Sequence, residues 1–235
     1  MTLKAQFDEK GYIVLPDLFS EEETRELKEE ARRVLDEEER KYREAKGDPA
    51  AVPVFRKTGV YVGMTAASPL FKKANTHPRI LDALKQVVGP KVDFWSDKVV
   101  FKDASTDFGS PWHQDHAYWF GSNKPSVWIA LDDATPENGC LQVVEGSHRL
   151  GYIPYVEKEG DGFQRQLPEH LIAAGPVVTL EARRGTGILF HDLLFHASFP
   201  NRSGKDRWAL ISTYRDATKE DPQYAFATAA FRVVG

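Results

Sequence analysis

The chain has 235 residues, 41% of them hydrophobic and 28% charged, the balance of an ordinary globular protein. A net charge of −4, with Lys and Arg spread along the chain, gives no electrostatic case for nucleic acid or an anionic membrane. The one cysteine, Cys140, excludes an intrachain disulfide and any Cys-rich metal site and fits a reducing, cytoplasmic setting. Met1–Lys10 has no apolar core of signal-peptide type, and no run approaches the roughly 18 apolar residues of a membrane span.

Gly11–Pro16 reads as a short strand closed by its proline. Ser20-Glu21-Glu22-Glu23 is a capping box, and the helix it opens, to about Tyr42, carries a narrow apolar stripe of Leu27, Ala31, Val34 and Leu35. The Glu37–Arg40 run is a solvated face. Gly47–Val62 reads as irregular and holds Arg56, Lys57 and Tyr61, of which Tyr61 is a candidate substrate contact. Pro78–Val88 reads as a second helix, stopped by Gly89-Pro90.

From Lys91 the pattern turns to short strands: Val92–Phe101, Val127–Leu131, Leu141–Val144, Val177–Leu180, Gly187–Phe190 and Trp208–Tyr214, separated by Gly, Pro and Asn turns. Two helices followed by many short strands predict a mainly β, jelly-roll fold with the helices packed outside it. We expect one domain over residues 1–235, helical to about residue 90 and jelly-roll over about 91–216. The polar Gly160–Gly175 stretch reads either as a loop over the site or as a surface excursion.

His113-Gln114-Asp115 carries the chemistry. In an extended strand residues i and i+2 share a face, so His113 and Asp115 present an imidazole and a carboxylate together. That is two-thirds of the facial set that holds non-haem iron(II), and by itself it is a common coincidence. Two later histidines, His191 and His196, can supply a third ligand. Ser198 shares the face of His196, and Arg207 follows across the Asn201–Gly204 turn, which reads as a hairpin. An arginine there suits bidentate capture of a carboxylate.

Together His113-Gln114-Asp115, Trp128, Asn138-Gly139-Cys140-Leu141, Gly146-Ser147-His148, His196, Ser198 and Arg207 resemble the phytanoyl-CoA dioxygenase family of iron(II)- and 2-oxoglutarate-dependent oxygenases, in that family's order and spacing over about Lys98–Tyr214. Glu145 departs from it, standing where the family commonly has proline. The resemblance implies a double-stranded β-helix with Fe(II) on His113, Asp115 and His196. It implies 2-oxoglutarate on Arg207 and Ser198 with Trp128 alongside, and O2 as the oxidant. The expected reaction is hydroxylation of a small or medium-sized organic substrate, coupled to conversion of 2-oxoglutarate to succinate and CO2.

Lys98, on one strand face with Ser96 and Val100, is a further candidate for the cosubstrate. Tyr118 and Trp119 are candidate substrate walls, and Arg215 is a candidate substrate anchor. His116 is expected to point away from the metal, His148 to be structural, and His77 and His170 to lie on the surface. An odd separation within one strand would put His191 opposite His196. Two other readings compete. A related halogenase needs a small residue where Asp115 stands, and a non-catalytic jelly-roll binding protein has no use for the full residue set.

Overall fold

The computed structural model describes residues 1–103, 108–159, 163–221, 227 and 229–235, leaving out part of the Gly160–Gly175 stretch. Helix α1 (Leu3–Lys10) and strand β1 (Tyr12–Leu15) open the chain. Helices α2 (Glu21–Lys46) and α3 (Val54–Thr58) lead to β2 (Val60–Val62). Then come α4 (Met64–Ala67), α5 (Pro69–Asn75) and α6 (Pro78–Val87). The β region holds β3 (Val92–Lys102), β4 (Ser110–His113), β5 (Ser126–Ala130), β6 (Leu141–Val144), β7 (Val156–Glu157), β8 (Arg165–Gln166), β9 (Val177–Leu180), β10 (Gly187–Phe190), β11 (His196–Ser198), β12 (Arg207–Asp216) and β13 (Phe231–Val234). Short 3-10 turns at Asp115–Tyr118, Ser147–Leu150 and Glu169–Ala174 punctuate it.

The expected capping box is present: Ser20 Oγ accepts from Glu23 N–H, and the Glu23 carboxylate accepts from Ser20 N–H. The stripe on α2 is buried as its spacing required. The two expected helices become six before β3. Helices α3 to α5 are too short to show a hydrophobic period; α3 lies within the Gly47–Val62 stretch that reads as irregular, and α4 and α5 follow it. What starts α5 is a Ser68 cap followed by Pro69 at the first helical position.

Two antiparallel sheets face each other as a double-stranded β-helix. The larger runs β1-β10-β5-β12-β3-β13, with β2 also paired to β3, and the smaller runs β4-β11-β6-β9. At eleven residues, β3 is long enough to carry β2 along Lys98–Val100 and β13 along Val92–Phe94. The larger sheet thus takes strands from before residue 90 and from beyond residue 216, so it is not confined to 91–216 as expected. Alternation sorts the core. Val100, Trp128, Ile188, Phe190 and Ile211 point inward toward Cys140, Leu141, Val143 and Leu180 of the smaller-sheet side. Val99, Val127, Ile129, Leu189 and Leu210 point outward and are covered by Leu27, Leu35, Phe71, Ile80 and Leu84 of the helices. The helices therefore wall one face of the larger sheet and leave the space between the sheets for the site.

Candidate metal and cosubstrate site

Strand β4 ends at His113, and the next residue keeps the extended conformation (Gln114 φ −113, ψ 130) before Asp115 opens a 3-10 turn. His113 and Asp115 therefore do face the same way. Gln114, facing the other way, fixes the turn. Its amide donates to the carbonyls of Gly151 (2.9 Å) and Leu193 (2.7 Å), and its oxygen accepts from Ile153 N–H (2.9 Å). Strand β11 pairs with β4 so that His196 lies directly opposite His113, their rings 4.1 Å apart.

Asp115 Oδ1 is 3.8 Å from Nε2 of each histidine, and one ligand atom from each residue lies within 4.8 Å of the others. All three side chains are buried. Nδ1 of His113 is 2.7 Å from the Pro111 carbonyl, and Nδ1 of His196 is 2.9 Å from the Leu194 carbonyl. Those carbonyls hold the proton on Nδ1 and turn the lone pair of Nε2 inward. Burial, with His196 beside it, pushes His113 down to about 3, and burial also lowers His196 against the pull of Asp115. Burial works to raise Asp115, but Lys98 and the two imidazoles outweigh it and hold the carboxyl below its usual range. Two neutral nitrogens and one carboxylate on one side of a buried point form the donor set a divalent iron takes.

These ligands open onto a cavity of about 760 Å³ between the sheets. There Arg207 is 1% exposed, its guanidinium 5.8 Å above the Trp128 ring, and its Nε and Nη1 have no hydrogen-bond partner among the described residues. Burial lowers it to about 10, still cationic near neutrality. A buried cation with free donors is costly unless an anion completes it, so this part of the cavity suits a carboxylate. Ser198 also lines the cavity, its Oγ accepting from Lys102 Nζ (2.8 Å) and Ser110 N–H (3.2 Å) and lying 2.6 Å from Ser110 Oγ. Lys98 shares its cavity-lining face with Ser96 and Val100, as its strand position suggested.

Four expectations need correction. The Asn201–Gly204 turn does not make a hairpin: β11 pairs with β4 and β6, whereas β12 pairs with β3 and β5, so the turn carries the chain from one sheet to the other. Arg207 therefore meets the His196 strand across the barrel. His191 and His196 do not share a strand, because β10 stops at Phe190 and Leu194 N–H turns back to the His191 carbonyl. His191 stacks on Phe7 and His148, with Nδ1 3.1 Å from Asp192 Oδ1. Tyr61 faces away from the cavity: Val60 and Val62 pair with Val100 and Lys98 on the cavity face, so alternation turns Tyr61 outward against Phe55. Arg215 is held by Asp93 (3.1 Å) and Asp221 (3.3 Å), an ion pair and not a substrate anchor.

Two smaller points follow. His116, in the 3-10 turn, bonds Asp192 Oδ2 through Nδ1 (2.9 Å), and His77 is half-buried as the cap of α6, its ring tilted against Phe19. Arg215→Gln is expected to leave turnover and cosubstrate affinity within about twofold of wild type. Losing a partly exposed pair costs up to about 1 kcal/mol, or roughly 2–4 °C in melting temperature. Enzyme assay and thermal unfolding on the same preparation check both.

Tyr118 and Trp119 both line the cavity. The Tyr118 hydroxyl is buried near the Arg165 backbone, and the Trp119 indole donates to Asp192 Oδ2 (3.1 Å). Sequence reading missed Trp95, Phe163 and Lys102. Trp95 is the extra residue of a bulge opposite Thr213/Tyr214, which re-aims it into the cavity beside Trp119. The Phe163 ring, 4.8 Å from that of His113, shows that the described part of Gly160–Gly175 does wall the site. Lys102 shares a face with Lys98 and Val100, and that spacing was the signal available.

The sequence profile of the phytanoyl-CoA dioxygenase (PhyH) family matches residues 7–209. The chain belongs to this family. It is accordingly an iron(II)- and 2-oxoglutarate-dependent dioxygenase. The L-proline trans-4-hydroxylase of Streptomyces griseoviridis is 26% identical over 92% of this chain and 86% of its own length. The ectoine dioxygenase of Sphingopyxis alaskensis is 27% identical over 84% and 69%. Among solved structures, the non-heme monooxygenase ThoJ superposes with a TM-score of 0.76 at 22% identity, covering 100% of this chain and 84% of that one, which supports the fold.

Proposed function

We propose that His113, Asp115 and His196 hold the iron, that Arg207, Ser198, Trp128 and Lys98 receive 2-oxoglutarate, and that Tyr118, Trp119, Trp95 and Phe163 wall the substrate. The observation that carries this reading is the buried guanidinium of Arg207, with free donors, in the cavity that holds the His-Asp-His set. Iron bound there supplies activation of dioxygen and oxidative decarboxylation of 2-oxoglutarate to succinate and CO2. The chain's own task is placement. The Pro111 and Leu194 carbonyls fix the two imidazoles, Arg207 orients the distal carboxylate on Trp128, and the aromatic walls keep water from the reacting C–H bond.

Asp115 fills the position a halide would take, so the outcome is oxygenation and not halogenation. Relatives named for L-proline and ectoine make small, polar, amino-acid-like molecules the first class to try.

The test has two arms. Anaerobic protein with iron(II) should develop a visible charge-transfer band when 2-oxoglutarate is added. A panel of amino acids and other small metabolites, assayed in air with chloride present, should yield substrate-dependent succinate and a hydroxylated product. Absence of the band, or a chlorinated product, overturns the reading.

A further inference from the structure

Beside Arg207 lies a buried lysine. The register of β12 on β3 sets Lys102 directly opposite Arg207, and both side chains are withdrawn from solvent (0% and 1% exposed). Lys102 Nζ donates to Ser198 Oγ (2.8 Å) and to the Phe199 carbonyl, and it lies 5.1 Å from the centre of the Phe108 ring. The other groups around it are Ser110, reached through Ser198, and the Gly139–Cys140 turn. Gly139 (φ +104) leaves the space the ammonium needs: a Cβ there would sit 2.8 Å from Lys102 Cδ and 3.0 Å from Nζ. Among the described residues no carboxylate pairs with Lys102 or with Arg207. The nearest acidic influences on the pair are Cys140, a thiol that burial pushes up to about 11 and so keeps protonated, and Asp132, which acts on Arg207 at longer range.

Two like charges, side by side and away from water, cannot both stay charged cheaply without an anion between them. Arginine keeps its proton, so the lysine is the group that yields. Resting on the reading that Arg207 receives the distal carboxylate of 2-oxoglutarate, we propose that Lys102 is a proton-linked second cation of that site, neutral before the dicarboxylate arrives and protonated once it is bound. Lys102 acts on the cosubstrate through Ser198, as a positioning residue, and through its charge.

The electrostatics agree. Burial, with Arg207 next to it, lowers Lys102 from its usual 10.5 to about 6, so near pH 7–8 it carries no charge in the free protein. A carboxylate beside it raises that value again. Binding therefore takes up a proton, and affinity falls as pH rises above the free value, by up to about tenfold per pH unit.

The experiment is calorimetric titration of 2-oxoglutarate into anaerobic, iron(II)-loaded protein at pH 7.5, in buffers of different ionisation heat. A pH series of dissociation constants is measured alongside. Wild type should take up close to one proton per 2-oxoglutarate and lose affinity by about 30-fold between about pH 7 and 8.5. Lys102→Met, shown folded by its melting curve, should take up almost none and give weaker, nearly pH-independent binding. Lys102→Arg should bind without proton uptake. The wild-type proton count needs no variant, so poor folding of Lys102→Met does not leave the matter undecided. Equal proton uptake in wild type and Lys102→Met, or none in wild type, overturns the proposal. If Arg207→Ala also binds normally, the assignment of the carboxylate site itself has failed; if Arg207→Ala loses binding, only the role of Lys102 has.

Discussion

Replacing His196 by alanine should abolish iron-dependent decarboxylation of 2-oxoglutarate, while His191→Ala keeps bound iron and measurable turnover. His196 gives its Nε2 to the buried point it shares with His113 and Asp115, and no other described histidine joins that set. His191 is spent elsewhere. Its Nδ1 lies 3.1 Å from Asp192 Oδ1 and at the same distance from the Leu193 N–H, and its ring is packed against Phe7 and His148. Loss of a ligand from a three-residue set should cost far more than the roughly 10- to 100-fold typical of changes behind the ligands. We expect at least a thousandfold drop for His196→Ala and less than tenfold for His191→Ala. Iron content and succinate formation, measured on folded protein, decide. Retention of iron by His196→Ala together with its loss from His191→Ala would reverse the assignment.

The second large effect belongs to Arg207. Arg207→Ala removes a fully buried guanidinium whose Nε and Nη1 have no hydrogen-bond partner among the described residues. Truncating one side of a buried charge pair costs on the order of 2–5 kcal/mol, so affinity for 2-oxoglutarate should fall by about 30-fold or more. Iron affinity should hold, because the proposed metal ligands sit on β4, the turn after it and β11, not on β12. Arg207→Lys should fall between the two, since an ammonium keeps the charge but loses the paired donors and the stacking on Trp128. Anaerobic titration of the charge-transfer band reads all three proteins, and an unchanged dissociation constant in Arg207→Ala would refute the assignment.

The strands bounded by strong turn residues, Leu141–Val144, Val177–Leu180 and Gly187–Phe190, were legible to the residue. So was the capping box of α2. What the sequence hid was long-range pairing. Whether Arg207 meets His196 by a hairpin or across the barrel depends on which neighbour each strand chooses, and local pattern does not carry that information. The same holds for Tyr61: in a three-residue strand, only the register of Val60 on Val100 tells which face is inward. Trp95 was invisible because a bulge breaks the parity on which strand reading depends. Lys102 was legible in principle, one alternation beyond Val100, but its importance rests on having no acidic partner among the described residues, and that is a property of the folded barrel. Arg215 shows the converse: an arginine at a strand end looks available until Asp93 and Asp221 are placed beside it.

The direct facing of His113 and His196 has a consequence beyond chemistry. Strand β4 is the outermost of the described strands of the smaller sheet, its other side met by the Leu167 N–H on the Trp112 carbonyl, and β11 is three residues long. So short a pairing is weakly specified, and a slip of one residue would turn His113 to the opposite face. An ion held by both imidazoles, as proposed, would act as a rivet that admits a single alignment. Because it binds only the aligned form, each tenfold excess of free iron over its dissociation constant adds about 1.4 kcal/mol in favour of that alignment. Iron supply would then bear on whether this flank of the barrel stays zipped as well as on catalysis.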